Sequence, residues 1–100
     1  MRVGVPAEIK PGEHRVGLTP TAVREYVAHG HQVLVEAGAG QGAGYTDEAF
    51  VRAGATIVAD ADAVFAGADM IVKVKEPQKI EWERLTPRHI LFTYLHLAPD

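Results

Sequence analysis

The sequence contains no cysteine, which excludes disulfide staples and thiolate metal sites. It has no apolar run long enough to cross a bilayer. It has no basic surplus either, with 10 Lys and Arg against 13 Asp and Glu and a formal net charge of −3. Neither a basic stripe nor a block of like charge breaks that balance, which argues against nucleic-acid or membrane-surface binding. The opening Met1-Arg2-Val3-Gly4-Val5 enters a strand directly, with no signal-peptide core. Together these absences predict a soluble, intracellular, cytoplasmic protein. With 100 residues the chain is one domain at most, or a piece of one.

What is present reads as alternating strands and helices. Arg2 to Val5 is a strand stopped by Pro6, and residues 7 to 18 form a charged loop without clear period. That loop is long for a βα connection, usually about 2–6 residues, and long loops at strand ends often carry function. Thr19 and Pro20 mark a helix start, and Gly30 its end. Gln32 to Glu36 is a second strand, followed by the glycine-rich stretch from Gly38 to Gly44. Thr46 caps a helix with Asp47 and Glu48 in its first turn, closed by Gly54. Thr56 to Val58 is a third strand, and Asp60 or Asp62 opens a helix stopped at Gly67. Asp69 to Lys75 is a fourth strand, Glu81 to Leu85 a helical turn, and His89 to Leu95 a fifth strand.

This order predicts an α/β domain, Rossmann-like or flavodoxin-like, with a parallel sheet covered by helices on both faces. The chain stops after a strand with no closing helix, which reads as an incomplete domain.

The run Ile90-Leu91-Phe92-Thr93-Tyr94-Leu95-His96-Leu97 reads as a strand buried on both faces. His96 would then stand where the strand leaves the sheet, and ligands bind at the carboxyl ends of such strands. Lys73 and Lys75 alternate with Val72 and Val74. For Lys73 an edge strand or a solvent exit at the strand mouth is expected. Lys75, at the carboxyl end, can point into a crevice. Arg15 lies in the long loop, beside Glu13 and His14. Loops after parallel strands one, four and five share an edge, so Arg15, Lys75 and His96 can converge. They would supply a planar bidentate cation, a point cation and a proton carrier titrating near neutrality. Such a set can hold and protonate a small 2-oxo acid. Tyr94, two residues before His96, lies on the same strand face, where core packing is an equal expectation.

Gly38-Ala39-Gly40-Gln41-Gly42-Ala43 satisfies G-x-G-x-x-G/A, the dinucleotide pattern. The glycines do not run directly into a helix N-terminus, however, and they follow the second strand instead of the first. The expected reading is a glycine-rich turn. His14, His29, His31 and His89 show no metal spacing and read as surface residues.

Several stretches are familiar together: Met1 to Lys10, Glu13 to Pro20, Gly38 to Gly42, Val72 to Pro77 and Phe92 to Leu97. From end to end the chain resembles the N-terminal part of the alanine dehydrogenases, in the superfamily they share with the nicotinamide nucleotide transhydrogenase α subunit. The resemblance implies that residues 1–100 are part of a substrate domain, and that NAD is bound mainly by a later domain absent here. No residue of this chain is then assigned to the cofactor. It further implies reversible NAD-dependent oxidative deamination of L-alanine to pyruvate and ammonium, in a hexamer. Arg15 matches the arginine that grips the substrate carboxylate, and Lys75 the lysine contacting carboxylate and reacting carbonyl. His96 matches the acid/base histidine, and Tyr94 an aromatic near the substrate. The transhydrogenase branch typically lacks counterparts of Lys75 and His96, which favours the dehydrogenase. A non-catalytic binding or assembly fragment is the alternative from another class. The chain alone is expected to be inactive.

Overall fold

Three helices begin where the sequence places a capping side chain. In the computed structural model, which describes residues 1–93, Thr19 Oγ1 accepts the Ala22 N–H at 3.2 Å and opens α1 (Pro20–Ala28). Thr46 Oγ1 accepts the Ala49 N–H at 3.1 Å and opens α2 (Asp47–Arg52). Asp60, and not Asp62, caps α3 (Ala61–Gly67), taking the Ala63 N–H at 2.9 Å. Each cap satisfies a donor that the helix geometry leaves open.

The strands are β1 (Arg2–Val5), β2 (Gln32–Glu36), β3 (Thr56–Val58), β4 (Met70–Lys73) and β5 (Ile90–Thr93). All pair in parallel, in the order β3-β2-β1-β4-β5. Among the doubly wound alternatives this is the Rossmann order, and it reverses direction between β1 and β4. Helices cover both faces. Val3, Val5, Val33, Val35 and Val72 form one core with Val23 of α1 and Phe50 of α2. Val64, Phe65 and Ala68 close over Ile71 on the other face. Burial of each of these valines and the isoleucine contributes about 1.5–3 kcal/mol.

Four expectations need correction. The run from Ile90 to Leu97 is expected to be buried on both faces, but in its described part Ile90 (53%), Leu91 (38%) and Phe92 (52%) are exposed. β5 is an edge strand, and among the described residues no helix packs over it. Lys73, conversely, lies inside. β4 is flanked by β1 and β5, and Lys73 is 1% exposed. The fourth strand ends at Lys73, not at Lys75, because the Glu8 carboxylate takes the next two N–H groups, from Val74 at 3.0 Å and Lys75 at 3.2 Å. The last helical turn, α4 (Lys79–Trp82), starts earlier than expected, since the Glu81 carboxylate accepts the Gln78 N–H at 2.9 Å and fixes the start there.

The histidines divide. His14 and His29 are exposed, as a surface reading expects, whereas His31 and His89 are half-buried. His89 bonds the Phe65 carbonyl through Nε2 at 2.7 Å, and Arg88 donates to the Ala68 and Ala66 carbonyls at 2.6 and 2.8 Å. These two side chains satisfy the carboxyl end of α3, where helices leave acceptors open. Among the described residues no helix is long and apolar enough to cross a membrane, and no group of three or more His, Cys, Asp and Glu could hold a metal.

Candidate functional site

The reversal between β1 and β4 opens a crevice at the carboxyl ends of those strands, the usual ligand position in an open α/β sheet. Two loops border it, residues 6–19 after β1 and residues 74–78 after β4. Arg15 belongs to the first and Lys75 to the second.

The first loop is held more firmly than its composition suggests. Val16 and Leu18 are buried, at 7% and 4% exposure, and join the core beneath α1. Gly17 between them lies so close to β4 that an added Cβ would come 2.4 Å from the Val72 carbonyl oxygen. Gly42 of the glycine-rich stretch packs on the same loop, where a Cβ would meet the His14 carbonyl oxygen at 2.9 Å. Two glycines thus let β4 and the β2–α2 connection press on the residues either side of Arg15.

Arg15 itself is exposed, 66% by side chain, and pairs with a Glu13 side chain only 5% exposed. Arg15 Nε donates to Glu13 Oε2 at 2.9 Å, Nη2 to Oε1 at 2.9 Å, and the Arg15 backbone N–H to Oε2 at 2.8 Å. Those hydrogen bonds from Arg15, opposed by partial burial and helped by the Lys75 charge, hold the Glu13 carboxyl down at about 2. In return Glu13 raises the Arg15 guanidinium above its ordinary value. The Arg15 and Lys75 charges therefore both act on Glu13. Clefts of about 270 and 240 Å³ lie on the two sides of Arg15. The first is bounded by Glu8, Glu13, Gly38 and Gln41, and the second by Val16, Thr19, Tyr45 and Val74.

Lys75 is half-buried, and its backbone N–H is tied to Glu8. Glu8 also pairs with Lys73, Nζ to Oε1 at 3.1 Å, and Lys73 Nζ meets Glu81 Oε2 at 3.1 Å. All three side chains are 1% exposed. Two carboxylates around one ammonium tie the β1 loop to β4 and to α4. Lys10 and Glu76, 3.2 Å apart at the surface, join the same two loops again. Sequence reasoning missed Glu8 and Glu81. The signal was Lys73 itself, since a lysine within an apolar strand calls for buried acids. Tyr94 and His96 lie outside the described residues.

A dinucleotide does not fit the glycine-rich stretch. The Gly38 N–H is taken by Asp47 Oδ1 at 2.9 Å. A Cβ on Gly40 would strike the Phe50 ring at 2.5 Å. Helix α2 opens with Asp47 and Glu48, which would repel a pyrophosphate. The turn serves packing.

A family model described as "Alanine dehydrogenase/PNT, N-terminal domain" matches residues 4–100. An alanine dehydrogenase of Methanococcus maripaludis is 55% identical over 100 residues, all of this chain and 27% of the relative. One from Bacillus subtilis is 50% identical over 100 residues, again all of this chain and 26% of the relative. The chain thus spans about a quarter of the length of the curated relatives it matches. A solved L-alanine dehydrogenase superposes with a TM-score of 0.91 at 48% identity, covering 97% of this chain and 27% of that one. A solved transhydrogenase from Sinorhizobium meliloti gives 0.84 at 30% identity, covering 95% of this chain and 28% of that one. With the Rossmann strand order and the crevice at its reversal, these matches establish that the chain belongs to the alanine dehydrogenase/PNT N-terminal domain family.

Proposed function

We propose that residues 1–100 are the N-terminal part of the substrate domain of an L-alanine dehydrogenase, which interconverts L-alanine with pyruvate and ammonium. NAD is the redox partner, held by a domain outside these residues, and no atom of this chain is assigned to it. The observation that supports the reading is the nearness of the two cations: Arg15 and Lys75 follow β1 and β4, adjacent parallel strands, and both charges act on Glu13.

Arg15 offers a planar fork to the substrate carboxylate and so orients the molecule before reaction. Lys75 sets a positive charge by the oxygen at carbon two. There it stabilises negative charge that grows as the carbinolamine forms or collapses. His96 exchanges a proton with water and with the carbinolamine oxygen, and Tyr94 is assigned to substrate binding with it. Kinship to the transhydrogenase gives a second reading, supported at 30% identity against the 48% of the dehydrogenase.

Expression of the parent polypeptide and measurement of alanine-dependent NADH formation tests the proposal. His96→Ala in that protein should lower turnover by about 10²–10⁴. Near-normal turnover would remove His96 from the mechanism, and no alanine-dependent NADH at all would remove the reading itself.

A further inference from the structure

We propose that Glu13 is a positioning residue for Arg15: it grips the guanidinium along its Nε–Nη2 edge and reserves the Nη1–Nη2 end for a small carboxylate. This inference rests on the reading of Arg15 as the carboxylate anchor.

The local sequence builds the device. Lys10-Pro11-Gly12-Glu13 closes a β-turn in which the Glu13 N–H donates to the Lys10 carbonyl at 3.0 Å and Gly12 has φ +83°. A proline followed by a left-handed glycine is the signature of a type II turn. Glu13 leaves that turn with its side chain covered, while Arg15 stays open to solvent. The acid is thus the fixed end of the pair and the cation the presented end.

The hydrogen bonds then divide the guanidinium. Five N–H groups are available on an arginine. Glu13 takes one from Nε and one from Nη2, each at 2.9 Å, in a parallel fork. Among the described residues no other group bonds the guanidinium. Its Nη1 and the outer Nη2 hydrogen form a second fork, along the end of the side chain, that matches another carboxylate. A free arginine samples many rotamers and loses that freedom on gripping a ligand. One already held by Glu13 has lost most of it beforehand, and affinity gains accordingly.

Charge supports the same arrangement. Glu13 remains ionised throughout the neutral range, so the guanidinium keeps its fixed partner wherever a substrate carboxylate is itself ionised. The fork explains why the acid stands two residues before the arginine: its Oε2 also accepts the Arg15 backbone N–H at 2.8 Å, which fixes Cα and side chain together.

The test uses the parent dehydrogenase with pyruvate, ammonium and NADH. Glu13→Gln keeps the volume but removes the charge and one acceptor. Its KM for pyruvate should rise about tenfold or more, with kcat and the KM for NADH within about twofold, the pattern of lost uniform binding. Arg15→Lys, which lacks the fork, should raise the same KM, and adding Glu13→Gln to it should change little further, because the acid acts through the arginine. Should Glu13→Gln fold poorly, Glu13→Asp, which withdraws the carboxylate by one methylene, should still raise the pyruvate KM while leaving that for NADH in place. An unchanged or lowered pyruvate KM in the Glu13 variants, beside a raised one in Arg15→Lys, would overturn the positioning role and leave Arg15 as the anchor. An unchanged KM in Arg15→Lys would overturn both.

Discussion

The Lys73 ammonium lies 3.1 Å from Glu8 Oε1, and both side chains are 1% exposed. Sixty-five positions separate them in the chain, so the pair joins the loop after β1 to the strand that ends beside it. Glu8 accepts the Val74 and Lys75 N–H groups as well, which makes one carboxylate the seat on which the Lys75 backbone rests. A buried ion pair is not a strong source of net stability, because desolvation offsets much of the attraction. Its value here is geometric.

Removal of the ammonium should therefore be far more damaging than the worth of the pair suggests. Lys73→Met leaves two buried carboxylates without their cation and should destabilise the fold by about 3–5 kcal/mol. Equilibrium urea unfolding would register this as a lowered midpoint at unchanged slope. Adding Glu8→Gln and Glu81→Gln should restore part of the loss, since uncharged amides need no counter-ion. A single variant as stable as the parent sequence would show that the charges are solvated, contrary to their burial.

The contact of Gly17 with β4 gives a second expectation. A methyl group there would come 2.4 Å from the Val72 carbonyl oxygen and 2.9 Å from its carbon, and backbone cannot step aside as a flexible side chain does. Gly17→Ala should cost roughly 1–3 kcal/mol, the range for overpacking a filled site. It should also move Arg15, two residues away. Thermal melting measures the first effect. An unaltered melting temperature would contradict the close approach.

The pH dependence follows from Glu13. Its folded-state value of about 2 lies below the ordinary 4.5, so the unfolded chain holds the proton more tightly than the folded one. The stabilisation from the Glu13–Arg15 fork is then complete above pH 4.5 and fades as acid lowers the pH from there toward 2. Carbon-13 NMR of the Glu13 carboxyl should give a titration midpoint near 2, and Glu13→Gln should flatten the part of the acid-unfolding curve between those limits. A midpoint near 4.5 would mean that Arg15 does not hold the acid in solution.

Much of this molecule is written locally. Thr19, Thr46 and Asp60 start their helices because a short side chain carrying an oxygen can reach an open N–H two or three residues ahead, with no help from afar. Five apolar strands separated by helices imply a parallel sheet for an equally simple reason: a right-handed crossover leaves few other routes. Arg15 and Lys75 were legible as crevice candidates because parallel strands deliver their following loops to one edge. Tertiary structure alone decided the rest. Lys73 looked like an edge lysine until β5 paired outside it and two acids closed over it, one from 65 positions earlier and one from α4. Ile90, Leu91 and Phe92 looked like core, yet burial depends on what packs against a strand and not on its own side chains. The glycine-rich stretch matches a nucleotide pattern letter by letter, but its Gly38 N–H is bonded to Asp47, and Gly40 and Gly42 pack against Phe50 and His14. Sequence spacing specifies which groups a turn or a cap can reach. It carries no record of which distant charges meet, because that meeting is set by the order of strands and the direction in which the sheet reverses.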